Sequence, residues 1–405
     1  MLFLNFLLDI YVKINVKMKK ILFFLTLGFI VSSCEDEIII DPVSENKVIT
    51  ENITKNTTWY SDTVYQLGGR ITVTDGVTLT IEPGTVIKGE AGTGANATAL
   101  LIARGGKIIA EGTPQLPIIF TSIADEITPE QVSTGDFKSP NLDPTVSGLW
   151  GGVIVLGHSK ISPKPSDVGE VTSVQIEGIP TSDQNGLYGG INDEDNSGII
   201  KFVSIRHGGT NIGSGNEING LTLGGVGRGT IIENVEVVAN QDDGVEWFGG
   251  NVNSKNIVVW NAGDDGLDTD QSWGGTCDNF VIITAAGHAF ELDGPEGSYS
   301  AGHIFENGNV ICSNNDIATQ DLINTDANSI VELNNIYFTE VVSGQKINRV
   351  TAPGVVYSGI MINVPADSLA NHVNGVVPTG VTSGILPKAN TTVLSWTWAS
   401  QSGKL

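Results

Sequence analysis

The chain has 405 residues, with 45 acidic against 21 basic side chains, a net charge of −24 and 50 glycines. Such a surface repels nucleic-acid phosphates and anionic headgroups, which argues against nucleic acid as a partner. Three cysteines and five scattered histidines, without CxxC or HExxH, form no zinc-site pattern.

Lys19 and Lys20 precede an apolar run from Ile21 to Val31, closed by Val31-Ser32-Ser33-Cys34. A charged start, a short apolar stretch and small residues form a secretory signal pattern rather than a membrane span. Its ending resembles a bacterial lipobox, in which Cys34 is lipidated and becomes the mature N-terminus. An ordinary signal peptide with an incidental cysteine is the other reading. Met18 is the expected start, residues 1–33 the signal peptide, and outer-membrane lipid the partner of a Cys34 acyl anchor. Glu35-Asp36-Glu37 resembles the export signal of lipoproteins that face the cell exterior; a solvated charge run on a periplasm-facing anchor is the alternative. Loss of residues 1–33 removes four lysines and Asp9, leaving 17 basic and 44 acidic residues and a net charge of −27. That acidity suits divalent cations, and a polyanionic glycan such as a uronan would need a bridging cation or a local basic patch.

Residues 34–57 are polar and read as a tether. From Trp59 onward, short runs rich in Val, Ile and Thr alternate with glycine turns, and helical periodicity is nearly absent. Leu79, Ile81 and Ile87 are answered 22 residues later by Leu101, Ala103 and Ile109. Residues 123–148 and 180–198 are Pro-, Gly-, Asp- and Asn-rich insertions, where function on a rigid scaffold tends to sit.

The central stretch repeats itself. Asn234-Val235-Glu236-Val237 leads to Asp242-Asp243-Gly244-Val245-Glu246. Asn256-Ile257-Val258-Val259 leads to Asp264-Asp265-Gly266-Leu267-Asp268, and Asn279-Phe280-Val281-Ile282 leads to His288-Ala289-Phe290-Glu291. The asparagines are 22 and 23 residues apart, a period that signals stacked coils. Stacking places equivalent residues ~4.8 Å apart, the spacing of paired strands. The asparagines are expected at a turn of positive φ, with their amides hydrogen-bonded along the stack. Val235, Ile257 and Phe280 should point inward, as should Val237, Val259 and Ile282, each contributing ~1.5–3 kcal/mol on burial. Coils of this kind are expected over residues 58–340. The tail, 341–405, loses the period, and Leu394-Ser395-Trp396-Thr397-Trp398 is expected to cap the last coil's open edge. Cys277 and Cys312, 35 residues apart, match neither one repeat nor two, so a disulfide and a pair of buried thiols both stand open.

With the lipobox, Leu79-Thr80-Ile81-Glu82-Pro83-Gly84-Thr85-Val86-Ile87, Arg104-Gly105-Gly106-Lys107-Ile108 and Ile205-Arg206-His207-Gly208-Gly209, the chain resembles the right-handed parallel β-helix (pectin-lyase-like) surface lipoproteins of Gram-negative bacteria. The similarity spans about residues 58–400. It implies an all-β solenoid, a right-handed parallel β-helix with loop insertions and a C-terminal cap. It leaves activity open, because fold does not fix function. A cell-surface binding or adhesion module, taking glycans with calcium, is the leading expectation. A polysaccharide hydrolase or lyase and a purely structural envelope protein are the alternatives.

Because parallel β-helices host such enzymes, the acidic positions must be weighed as catalytic. Asn240-Gln241-Asp242-Asp243-Gly244, Gly263-Asp264-Asp265-Gly266 and Gly287-His288-Ala289 are similar to the NTDG, GDD and GHG motifs of polygalacturonases, in order and one coil apart. This nominates Asp243, Asp265 and His288 as catalytic residues. An inverting hydrolase holds its acid and base carboxyls ~6.5–9.5 Å apart. The departures are an extra residue in the first motif, Ala289 for the last glycine, and no RxK at the expected distance. Lys346-Ile347-Asn348-Arg349 lies further on, in reversed order. A lyase would pair calcium carboxylates with a base drawn from Arg206, Arg228 or Lys255.

Calcium also has a local candidate. Asp193-Glu194-Asp195-Asn196-Ser197-Gly198 spaces oxygens like the first half of an EF-hand loop, which nominates Asp193, Asp195 and Ser197 as ligands. Ser204 stands where the bidentate glutamate would be, and a solvated turn is the alternative. The stacked Asp243, Glu246, Asp265, Asp268 and Asp270 would repel one another unless a cation or raised pKa values relieved them, or they fan into water. Glu246, Asp268, Asp270, Glu291 and Trp273 are the expected glycan-facing residues. Trp247, Trp260 and Trp273 either stack on sugar or pack against a neighbouring coil.

Overall fold

Short runs of alternating apolar residues close into coils that stack by parallel pairing. A computed structural model describes residues 45–166, 169, 171–213, 216–314 and 316–405. The signal peptide, the lipobox with Cys34 and the Glu35–Glu37 cluster lie outside the described residues. One sheet has eight parallel strands: Arg70–Val73, Ala99–Ile102, Val153–Leu156, Leu221–Gly224, Val245–Phe248, Leu267–Asp270, Phe290–Leu292 and Asn324–Thr325. A sixteen-stranded sheet forms the rest of each coil. Its long strands Ile231–Val238, Ser254–Trp260, Thr276–Ile283, His303–Ile311 and Ile330–Thr339 bend where Asn234, Asn256, Asn279, Asn307 and Asn335 take φ between 56° and 62°. Asparagine tolerates this left-handed region better than most residues. The amides bond along the stack, Asn256 Nδ2 donating to Asn234 Oδ1 at 3.0 Å and Asn279 Nδ2 to Asn256 Oδ1 at 2.7 Å. The expected ladder therefore exists, and Asn335, donating to Asn307 at 2.7 Å, adds a second run to it.

The core is a set of aliphatic and aromatic columns. Val235, Ile257 and Phe280 lie in one, Val237, Val259, Ile282 and Val310 in the next, all buried. Gly308 follows Phe280 in the first column because the Phe280 ring fills the space that a Cβ there would need. Cys277 and Cys312 are separate buried thiols within this core, so the disulfide reading falls.

Three expectations about organisation change. Among the described residues the first strand of the stack, Glu45–Ile49, already lies inside the expected tether and pairs with Thr63–Leu67, and the stack runs to Val381–Ser383, well past residue 340. Leu79 pairs with Ile108, Ile81 with Ala110 and Ile87 with Phe120. Leu101, Ala103 and Ile109 therefore answer them only in sequence; the turn around Gly94–Asn96 lengthens that coil and shifts the register. The tail does not cap the last coil. It doubles back, bonding Asn390 N to Asn279 Oδ1 at 2.6 Å, and lays Leu394 and Trp398 on the outward-facing Val238, Val258, Trp260, Val281 and Ile283. Burying that apolar strip outweighs covering an edge whose own strand is three residues long.

Candidate functional site

Side chains alternate across a strand, so one residue in two of the eight-stranded sheet faces outward. The outward column reads Leu101, Ile154, Thr222, Glu246, Asp268, Glu291 and Asn324. It is apolar at one end and acidic at the other. The insertion after Leu156 covers the apolar end: Ile176, Ile179 and Tyr188 pack on Leu101, Ile154, Leu156 and Phe248. The cover reaches the first acidic rung, since Phe248 shares a strand with the buried Glu246, whereas Asp268 and Glu291 are only half-buried.

A second column stands beside it in the turns that enter each strand. Gly220, Gly244, Gly266 and Ala289 donate to the carbonyls of Asp243, Asp265, His288 and Asp321, which stacks those four residues. The structure thus brings Asp243, Asp265 and His288 together on adjacent rungs. Asp265 N–H donates to Asp243 Oδ1 at 2.9 Å, and His288 N–H donates to Asp265 Oδ1. His288 Nδ1 lies 3.0 Å from Asp265 Oδ1 and 3.9 Å from Glu291 Oε1. Gly287 makes room for this arrangement, since a Cβ there would collide with the carboxylates of Asp264 and Asp265.

Three groups of donors result, two of them sharing Asp243. Asp265, His288 and Glu291 offer atoms within 4.8 Å of one another, and so do Asp243, Glu246 and Asp268. Asp243 also groups with Asp242 and Asp264. Burial is the leading cause of the high carboxyl pKa values here, and neighbouring carboxylates add to it. Asp243, Glu246 and Asp268 are raised well above the carboxylate range, Asp270 rises to about 7 and Glu291 to about 8. Asp265 goes the other way: burial pushes it up, but contacts from His288 and Glu291 outweigh that and hold it low. His288 rises because Asp265 stabilises its charged form.

The other nominated residues go elsewhere. Asp193 pairs with Lys160 at 2.7 Å and accepts from Ser159 at 2.9 Å, while Ser197 Oγ donates to Asp195 at 3.2 Å. The EF-hand-like run is thus a loop whose first acid is paired with lysine and whose Asp195 accepts from Ser197. Trp273 is fully buried, stacked on Trp247 at 4.6 Å, with its indole N–H on Val252 O; it cannot meet a sugar, and neither can Trp247. Trp260 is covered by Trp398. Arg206 is fully buried under Trp398 beside Glu236, Arg228 pairs with Glu194 and Lys255 with Asp278, so none of the three serves the stripe.

Asn219 and Asn324 escaped the sequence reading. Asn219-Gly220-Leu221 repeats Asp243-Gly244-Val245 and was detectable as an uncharged rung. Its Nδ2 donates to Glu246, whereas its Oδ1, on a side chain only 5% exposed, has no hydrogen-bond partner. Asn324 donates to Glu291 at 3.1 Å, but the 33-residue coil between them hides the equivalence.

The pectate-lyase-like β-helix domain family matches residues 51–377. The chain belongs to this family. A search of curated proteins returned no match. Membership supports a carbohydrate-related role, as binder or as enzyme, and the acidic end of the eight-stranded sheet is where this β-helix concentrates its chemistry.

Proposed function

We propose that this β-helix is a glycan-binding module of the cell envelope, which recognises acidic polysaccharide through calcium held on its carboxylate stripe. One observation carries the reading. Asp243, Glu246 and Asp268 bring oxygens within 4.8 Å of one another, the first two residues are 7% and 8% exposed, and among the described residues no lysine, arginine or histidine forms an ion pair with any of the three. Three carboxylates so placed repel unless protons or a cation intervene. The orphaned Asn219 Oδ1 supplies a neutral oxygen beside them, and carboxylates with an amide carbonyl are the donor set of a hard divalent cation. Calcium bound there would supply the positive charge that a uronate carboxylate needs on so acidic a surface.

The oxygens of Asp243, Glu246 and Asp268 stand within 4.8 Å, closer than the ~5–5.5 Å and ~6.5–9.5 Å separations of retaining and inverting enzymes, which weighs against an acid and base pair drawn from these three. The divergent behaviour of Asp265, held low, and Glu291, raised to about 8, is the one feature that favours an enzyme, as it resembles an acid and base pair. Attachment to outer-membrane lipid through Cys34, facing the cell exterior, belongs to the same proposal and is supported by Val31-Ser32-Ser33-Cys34 and Glu35–Glu37.

The test is a panel of polyuronates and neutral glucans incubated with residues 34–405, with calcium and with chelator, following both binding and product release. Calcium-dependent retention of polyuronate without new reducing ends or unsaturated products is expected, and Glu246→Gln with Asp268→Asn should abolish it. Release of oligosaccharides that Asp265→Asn prevents would replace this reading with the enzyme.

A further inference from the structure

The second group, Asp265, His288 and Glu291, differs in kind from the all-oxygen cluster and shares no residue with it. The geometry points to a separate site for a borderline transition-metal ion such as Zn²⁺, ligated by His288 Nδ1 and by carboxylate oxygens of Asp265 and Glu291. Two ligands ~2.0–2.1 Å from one metal, at tetrahedral or octahedral angles, lie about 2.8–3.4 Å apart. The imidazole nitrogen is 3.0 Å from Asp265 and 3.9 Å from Glu291, so only Glu291 has to close up. Its side chain is 32% exposed and has room to do so.

Further features single this group out. His288 Nδ1 is enclosed by protein and has no aligned hydrogen bond, despite lying beside two carboxylates. The nitrogen stands within reach of both carboxylate oxygens, so one cation among them would meet all three donors. The supports are also present. Asn324 donates to Glu291, the His288 N–H donates to Asp265, and Gly287 leaves the carboxylates of Asp264 and Asp265 the space they occupy. Such outer contacts orient ligands before the metal arrives.

Imidazole nitrogen selects zinc, copper, nickel or iron over calcium, whereas an all-oxygen cluster does the reverse. Adjacent rungs would thus hold two ions of different hardness. Three protein donors leave a coordination position open toward solvent at Glu291, where a water or a sugar oxygen can bind.

The experiment strips the protein with chelator, then titrates Zn²⁺ and Ca²⁺ separately by calorimetry in the wild type, His288→Ala and Glu246→Gln. One equivalent of Zn²⁺ is expected in the wild type, at least 10-fold weaker in His288→Ala and unchanged in Glu246→Gln. Loss of zinc in both variants alike, or retention in His288→Ala, overturns the assignment. If His288→Ala does not fold, Cu²⁺ bound to the wild type and to Glu291→Gln is read by electron paramagnetic resonance. Superhyperfine coupling to one nitrogen, weakened by Glu291→Gln, supports the site; its absence from the wild type rejects it. Because calcium binding and glycan retention rest on Asp243, Glu246 and Asp268, they can fail while zinc binding survives, and the converse holds.

Discussion

Replacing Asn256 tests the element that turns a repeat into a solenoid. Asn256 accepts from Asn279 at 2.7 Å, donates to Asn234 at 3.0 Å and holds φ at 58°. Each hydrogen bond contributes about 0.5–1.5 kcal/mol, and a left-handed alanine costs about 1 kcal/mol more. Asn256→Ala should therefore destabilise the protein by about 2–4 kcal/mol. Asn256→Gly loses the same bonds without the backbone strain and should be milder by about 1 kcal/mol. Asn234 supplies an internal control: it accepts from Asn256 at the end of this run, so Asn234→Ala breaks one ladder bond instead of two. Urea unfolding followed by tryptophan fluorescence and circular dichroism measures all three, with the m-value checked because stacked coils can lose two-state cooperativity. If Asn256→Ala and Asn256→Gly both stay within about 0.5 kcal/mol of wild type, the ladder follows the fold and does not hold it.

Two further perturbations probe other faces. His303 is fully buried against Trp273 and Phe305, and burial drops its pKa to about 3. Below the ordinary value of about 6.5 the unfolded chain takes a proton that the folded chain refuses, so stability falls as pH drops toward 3. The slope approaches about 1.4 kcal/mol per pH unit, and His303→Leu should remove that share of it; an unchanged slope between pH 6 and 4 refutes the burial argument. Trp398 lies 4.9 Å over the Arg206 guanidinium and edge-on to Trp260 at 5.7 Å. Trp398→Ala should cost about 3–5 kcal/mol and loosen the C-terminal strap, so that limited proteolysis trims residues 386–405. The calcium binding proposed at Glu246, on the eight-stranded sheet, should be unaffected by this change, and an equally protected tail would show that the strap is held by other contacts.

What the sequence reveals depends on whether coil length is constant. Between Asn234 and Glu291 the coils keep 22–23 residues, and there the asparagine ladder, the inward columns and the stacked Glu246, Asp268 and Glu291 all follow from spacing. Where an insertion changes the length, the same logic misleads, as with Leu79 and Leu101. The aromatic residues leave two readings open, sugar stacking and packing on a neighbouring coil, and for Trp247 and Trp273 packing is the one the structure shows. Alternation puts Trp247, next to outward Glu246, inside, and Trp273 stacks on it there. The Asp193 loop has a partner that spacing could not show, since Lys160 lies 33 residues away in the chain. No local motif announces an ion pair of that reach.

The acidic stripe bears on folding as well as on binding. In Val245–Phe248 and Leu267–Asp270, Val245, Trp247 and Leu267 face the core while Glu246 and Asp268 face out. A slip of one residue would turn every side chain to the opposite face and drive carboxylates into the columns now filled by Leu221, Phe290 and their neighbours. An unpaired buried carboxylate is far costlier than the repulsion within an outward stack, which protons or a cation relieve. The carboxylates therefore oppose the wrong register in the coils that carry them. At the other end of the sheet, where Leu101 and Ile154 face outward, alternation alone offers no such discrimination, and the covering Ile176, Ile179 and Tyr188 give those side chains a reason to stay outside. One column thus divides into an apolar half fixed by its cover and an acidic half fixed by its charge. The half fixed by charge is the one whose carboxylates call for a proton or a cation to relieve their repulsion.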